Sequence, residues 1–503
     1  MHKNRLAAIS EKQALCRDTA IDNNYTLEYN YCNNNFGDDG VKNFVDRKNE
    51  MDFLEREYAS KSASFVVLYG RRRTGKTAMI MEFIKNKSAV YYLSTEESET
   101  ENRDAFADIV ANHYGNTLLA QSKIQSWKPI FDVIIQNGIH QKQIIVIDEF
   151  QYIGRTNDSF LSVIQRIWDT KLQNANIMLI LCGSLVNMMY QQTLSYNSHL
   201  YGRRTGQIKL KPIGFEYYRD FFPNMTEREL IEYYAVTGGV PKYIESFHEE
   251  KNIYDAIEHN ILSRTSYLYE EPVFLLEKEV REIGTYFSII KTIASGRRKS
   301  NEIASALETA ITKLPKYLSV LMDLDILERE VPVTETNPEK SKMGLYKIKD
   351  NFIEFWFKFV YPYRSYAESG YTELIMSRIK NNFVRSHAAY IYEEICRNCY
   401  MWRLAANGIL GFTPDKIGRW WDRKNTEIDI VGIDSMGKDI VFGECKFTND
   451  PMDVNVYYNL LEKAKPVKWR HGDRIEHFVF FSINGFTERM KQLAEQKQEI
   501  ILA

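Results

Sequence analysis

Fourteen residues, SFVVLYGRRRTGKT (Ser64–Thr77), limit the possible fold more than any other stretch of the chain. The first six form an unbroken apolar run of strand length, the mark of a strand buried on both faces. It ends at Gly70. A loop follows, Gly70-Arg71-Arg72-Arg73-Thr74-Gly75-Lys76-Thr77, a full match to GxxxxGK[ST]. The glycines let successive backbone N–H groups curl around an anion, and a helix opening at Lys76 adds its positive end. In this pattern the lysine reaches the β and γ phosphates of a nucleotide, and the hydroxyl after it ligates Mg²⁺. Gly70, Arg71, Arg72, Arg73, Thr74, Gly75, Lys76 and Thr77 are therefore the first candidate binding residues.

The next 140 or so residues repeat the same rhythm. Apolar strands are expected at AVYYLST (89–95), QIIVIDEF (143–150) and NIMLILCGS (176–184), with a shorter one from Gln207 and helical stretches between them. Buried strands alternating with helices mean a parallel sheet covered on both faces. The third strand ends in Asp148-Glu149. A carboxylate there can hold the Mg²⁺ shell, and the next one can polarise the attacking water. Ser184 ends the fourth strand where a γ phosphate would lie, although a capping serine fits equally well. Arg203 and Arg204, in HLYGRRTGQIKL, suit either an arginine finger or a solvated basic turn.

Taken together, FVDRKNEMDFL, YGRRRTGKT, VIDEFQYI, LCGSLVNMM, YGRR and TGGVPKYI resemble the archaeal-type ATPase family, a branch of the AAA+/STAND P-loop ATPases, over about 44–244. The resemblance implies an ASCE/AAA+ parallel-sheet domain with a helical lid, and ATP with Mg²⁺ as cofactors. It also implies that Arg47 and Glu50 lie near the adenine and that Gly239 and Pro241 belong to the lid.

Beyond the lid, helices near 280–295, 300–308 and 314–324 precede a hairpin, ILEREVPV and GLYKIKD. That is a winged helix-turn-helix arrangement. Leu314, Leu318 and Leu321 should point inward. Lys313, Lys316 and the GRRK segment (Arg297, Arg298, Lys299) offer positive charge to DNA, as do Lys340 and Lys342 on the wing. Packing between domains is the competing use of the same element. The aromatic run FIEFWFKFVYPY (352–363) is too short for a membrane span and reads as a buried amphipathic helix.

The C-terminal region poses a different question. VFGECKF (441–447) looks like a buried strand, yet it carries Glu444 and Lys446 two residues apart. The strand period puts both on one face. TEIDIVGI precedes it across the turn DSMG, so a hairpin brings Asp429 toward Glu444. Two carboxylates beside a lysine can hold a divalent metal that activates water, while the lysine offsets developing negative charge. Glu393 and Glu394 lie on an upstream helix. These residues resemble the PD-(D/E)xK restriction-endonuclease-like core, with EID where PD is usual. The resemblance implies that Asp429 and the Glu444–Lys446 pair form the catalytic set and that Glu393 is the helix acid, with a second divalent metal possible there. An ordinary cross-strand Glu–Lys pair is the plainer alternative.

The chain has 503 residues, 44% hydrophobic and 26% charged, with net charge −2, so it is no polycation and any nucleic-acid surface must be local. Six scattered cysteines make no disulfide framework. The pair Cys396–Cys399 lacks further zinc ligands and reads as two small buried residues on one helix face. No signal peptide or membrane span is visible, which makes the cytoplasm the expected compartment. The expected division is an Asn-rich, poorly ordered extension (1–41), ATPase core (42–213), helical lid (214–277), winged helix (278–350), helical connector (351–381) and nuclease-like α/β domain (382–503). The expected function is an ATPase coupled to a metal-dependent DNA nuclease. The alternative is a STAND-type switch that binds DNA or protein without cutting. DNA is the expected partner beside ATP, and a homo-oligomer would let Arg203 or Arg204 act on a neighbouring subunit.

Overall fold

The computed structural model describes residues 44–157 and 159–503. The expected extension over 1–41 lies outside the described residues. Lys48–Ala503 form one compact unit, and Arg47 belongs to another.

Five strands, β1 (Ser64–Tyr69), β2 (Ala89–Leu93), β3 (Gln143–Asp148), β4 (Ile177–Gly183) and β5 (Gly206–Lys209), form a sheet ordered β2-β3-β4-β1-β5. Every pairing is parallel. Alternation supplies both faces. Phe65, Val67, Ile145 and Ile147 enter one core, while Val66, Leu68, Ile144 and Val146 enter the other. Because the strands run in one direction, their C-terminal ends share one edge. β4 lies between β1 and β3, so Ser184 falls between the glycine loop and Asp148–Glu149.

Helices follow, from Glu227–Thr237 and Pro241–Phe247 to Glu271–Glu279. Gly239 sits between the first two at φ +72°, and an added Cβ would stand 1.9 Å from the Ile213 carbonyl oxygen. Both the left-handed backbone and the close approach exclude a side chain. Gly239→Ala is expected to lower the unfolding free energy by about 2 kcal/mol or more, read as a drop in urea midpoint. An unchanged midpoint would refute this account of the position.

Helices Ile283–Ala294, Ser300–Ala306 and Leu314–Asp323 lead into an antiparallel hairpin of β6 (Leu327–Glu330) and β7 (Leu345–Ile348). Leu314, Leu318 and Leu321 are buried, and Lys313 and Lys316 are exposed. The aromatic run forms three short helical pieces, Asn351–Phe355, Trp356–Val360 and Tyr361–Tyr363. Their charges, Glu354 and Lys358, pair at 2.6 Å.

The last sheet is mixed, ordered β12-β11-β10-β9-β8. It comprises β8 (Lys416–Trp421), β9 (Glu427–Ile433), β10 (Asp439–Lys446), β11 (Ile475–Ser482) and β12 (Ile500–Leu502). The β8–β9–β10 pairings are antiparallel, and β10–β11–β12 are parallel. The sequence predicts strands near 427–433, 439–447 and 476–482, and the two edge strands, β8 and β12, are additions to those three. β8 is interrupted by a register shift between Gly418 and Trp420, which breaks its alternation, and β12 has only three residues. Cys396 is buried as expected, but Cys399 is only partly so, and both are free thiols. Among the described residues, no helix is long and apolar enough to cross a membrane.

Candidate functional site

The glycine loop closes over the helix Lys76–Ile84, whose N-cap is Gly75 at φ 90°. Lys76 is buried, and its ammonium donates to the Arg71 carbonyl at 2.9 Å. The Thr74 hydroxyl donates to the same carbonyl, also at 2.9 Å. Thr77 donates its hydroxyl to Asp148 Oδ2 at 3.0 Å. Tyr91, a residue the sequence patterns did not single out, donates to that oxygen at 2.8 Å from β2. Hard oxygen donors converging beside a phosphate loop are the set Mg²⁺ accepts.

Glu149 has a positive φ of 50°. Such a conformation costs on the order of 1 kcal/mol or more and persists only where neighbours enforce it. Its backbone N–H donates to Asp148 Oδ1 (2.8 Å), and its carboxylate accepts from the Ser184 hydroxyl (2.8 Å) and from Gln151. The acid is thus aimed from the ends of β3 and β4 and by Gln151 of the helix Gln151–Thr156.

The three loop arginines point at protein groups rather than into the phosphate cradle. Arg71 pairs with Asp350 and donates to Tyr243 (3.0 Å). Arg72 donates to Tyr152 (2.8 Å), and Arg73 pairs with Glu271 (2.7 Å). Arg203 is held bidentately by Asp169, with both contacts at 2.8 Å, and Arg204 lies near the Tyr201 ring. In the other compact unit, the Arg47 backbone N–H donates to the Asp46 carboxylate (2.6 Å). Glu50 lies in the first turn of helix Lys48–Ala59. Glu279, also unforeseen, accepts from the Val186 N–H just after Ser184 (3.0 Å). Burial pushes it up to about 7 against the Val186 and Asn187 backbone donors.

The second constellation sits where β9 meets β10. The register Gly443–Ile430 puts Glu444 across from Asp429. Asp429 Oδ2 accepts from the Cys445 N–H (3.1 Å). Glu444 is buried, with Lys446 on Oε1 (2.7 Å) and Lys463 on Oε2 (2.9 Å). Lys463 comes from helix Val454–Ala464 and was not among the expected residues. Glu393 shares this field, whereas Glu394 pairs with Lys347. Burial, then the Asp429 charge, raises Glu393 to about 8. Burial, then the Glu444 charge, raises Asp429 as well. Crowded carboxylates of this kind are what a divalent cation relieves. Among the described residues, however, no group of three or more His, Cys, Asp or Glu is arranged to hold a metal ion. Both Glu444 oxygens face lysines instead.

A raised carboxyl pKa has a definite sign in stability. The native preference for protonated Glu393 stabilises fully below about 4.5 and is lost as pH rises through about 8. Glu393→Gln is expected to remove this part of the decline, so that in EDTA it unfolds at higher urea than the parent at pH 8 and not at pH 5. Equal shifts at both pH values would contradict it.

The wing is docked, not free. Val333 N–H donates to the Arg419 carbonyl (2.9 Å), and Trp421 donates to the Met343 carbonyl (3.2 Å). Arg298 is turned inward to Glu330 (3.1 Å), which removes it from the expected basic surface. Arg297, Lys299, Lys313, Lys316, Lys340 and Lys342 stay exposed.

A family profile described as an ATPase domain predominantly from Archaea matches residues 44–247, and another, described as archaeal and bacterial proteins of unknown function, matches 356–461. The chain is 34% identical over 426 residues to the uncharacterized protein MJECL04 of Methanocaldococcus jannaschii, spanning 84% of this chain and 92% of that one. It is 50% identical over 48 residues to the uncharacterized ATP-binding protein MJ0423 of the same organism, 10% of this chain and 81% of that one. Among solved structures, the Walker-type ATPase PABY2304 of Pyrococcus abyssi is similar in fold, with TM-score 0.51 and 20% identity, over 63% of this chain and 97% of that one.

Proposed function

The chain belongs to the predominantly archaeal ATPase-domain family, and from that premise we propose that it couples ATP hydrolysis at the glycine loop to metal-dependent DNA cleavage at the C-terminal sheet. The observation that supports the coupled reading is that Asp429, Glu444 and Glu393 act on one another's charge beside Lys446, in the same compact unit as the loop. At the ATP site, Lys76 would offset charge on the β and γ phosphates, Thr77 and Asp148 would hold Mg²⁺, and Glu149 would orient the attacking water. Ser184 keeps Glu149 in place. At the second site a divalent cation would need Asp429, Glu444 and Glu393 to draw together and Glu444 to release its lysines, and it would then supply Lewis-acid activation of water. Lys446 offsets the negative charge that develops on the scissile phosphate. Its ammonium is favoured by the Glu444 charge, against the opposing effect of burial. The exposed lysines and arginine of the winged helix supply the local positive surface that DNA needs.

A second reading has its own support. Two lysines neutralise Glu444, and the wing is docked on the C-terminal sheet. Both features suit a nucleotide-driven switch that binds DNA or protein without cutting it. Linear and circular duplex DNA, incubated with Mg²⁺ or Mn²⁺ and with or without ATP, separates the two. Cleavage in any of these conditions favours the nuclease. Slow ATP turnover with tight DNA binding and no cleavage throughout favours the switch.

A further inference from the structure

We propose that the segment Lys347–Asp350, at the end of the wing, transmits the nucleotide state of the glycine loop to the C-terminal acidic site. The inference rests on the function proposed above and names how its two sites are regulated together.

Within four residues the segment reaches from the glycine loop to the immediate neighbours of the acidic site. At one end, Asp350 pairs with Arg71 of the glycine loop, and the two side chains are 5% and 9% exposed. The other Asp350 oxygen accepts from the Ile353 N–H (2.7 Å) and so caps the helix Asn351–Phe355. Asp350 is therefore clamped between the loop and the body of the protein. At the other end, Lys347 is 5% exposed and pairs with Glu394, the neighbour of Glu393 on the helix Ala389–Ile395. It also pairs with Glu330 (3.3 Å).

Glu330 carries the connection onward. Arg397 lies 3.7 Å from it and donates its other nitrogen to the Asp429 backbone carbonyl at 3.2 Å. Burial disfavours the Glu330 charge, but Lys347, Arg397, Arg419 and Arg298 overcome this and hold its carboxyl down to about 2. Every link is a charge whose partner is also a charge or a fixed backbone group. In a buried network of this kind, losing one partner strands the next, so the parts move together rather than one at a time.

The trigger is in the loop itself. The Arg71 carbonyl accepts from the Lys76 ammonium. Nucleotide phosphates compete for that ammonium. Binding therefore changes the contacts of the residue whose side chain anchors Asp350, which is the differential interaction a ligand needs to shift a conformational balance.

Hydrogen exchange of the full chain, with and without ATPγS and Mg²⁺, tests this directly. In the parent, nucleotide should change amide exchange in helix Ala389–Ile395 and strand β10 by about fivefold. In Asp350→Asn and in Lys347→Met that response should vanish, while nucleotide still binds within about threefold of the parent affinity. Lys349→Ala, on the exposed side of the same segment, should respond as the parent does. Should Asp350→Asn or Lys347→Met fail to fold, Glu394→Gln breaks the same path at a half-buried position. A parent that binds nucleotide without altering β10, or a folded variant that transmits as the parent does, overturns the inference. Absent DNA cleavage with intact transmission would remove the nuclease reading and leave this one standing. Absent nucleotide binding would remove both.

Discussion

Replacing Lys76 by alanine is expected to lower ATP turnover by about 10²–10³-fold or more, with little change in stability. The two halves of that expectation have separate origins. A fixed positive charge facing the transferring phosphoryl group acts where charge develops, and loss of one such donor typically costs this much. Stability depends instead on what the side chain leaves behind. Its ammonium donates to the Arg71 carbonyl, but the Thr74 hydroxyl donates there too, so the carbonyl keeps a partner. Losing one of two donors costs about 1 kcal/mol. Phosphate release and urea unfolding measured on the same preparation separate the two effects. Turnover within twofold of the parent would mean that the hydrolytic site is elsewhere.

Lys446→Ala is the second large expected effect. DNA cleavage should fall by about 10²-fold or more, while ATP turnover holds. The variant should fold, because the Lys446 side chain is 37% exposed and Glu444 retains Lys463 on its second oxygen. Partly exposed ion pairs contribute about 0–1 kcal/mol, too little to unfold the chain. Glu444→Ala is a poorer probe, since it would leave two lysines facing each other over Asp429. Cleavage by Lys446→Ala equal to that of the parent, in Mg²⁺ and in Mn²⁺, would end the nuclease assignment. Run beside Lys76→Ala, the assay also separates ATP dependence from the cutting chemistry.

These experiments depend on features that differ in how openly the sequence displays them. The glycine loop is legible because its chemistry is contiguous: strand, turn, lysine and hydroxyl follow one another in register. β1, β3 and β4 are legible because strands buried on both faces leave long apolar runs, and β2, fully buried on one face only, because its residues are apolar throughout. The hairpin of β9 and β10 is legible because a short turn leaves little choice of register. By contrast, β8 carries a register shift and β12 is three residues long, so neither shows a clear period. Tyr91, Glu279 and Lys463 are ordinary residues on ordinary elements. Their places beside Asp148, Val186 and Glu444 come from strand order and helix packing, which no local pattern encodes.

The sequence alone determined the parallel-sheet nucleotide domain, the position of its phosphate loop, and the strand pairing that sets Asp429 beside Glu444 and Lys446. It could do so because each of those features depends on residues close together in the chain or on one strand pairing. Tertiary structure decided how those parts are connected. It turned the loop arginines toward Asp350, Tyr243, Tyr152 and Glu271, paired Arg203 with Asp169, and faced Glu444 with two lysines. It also docked the wing on the last sheet and gathered four cations around Glu330. The physical reason is burial: once the elements pack, each charge taken out of water must find an opposite charge or a backbone dipole. The partner it finds lies wherever the fold has brought one, here Asp350, which stands 279 positions along the chain from Arg71.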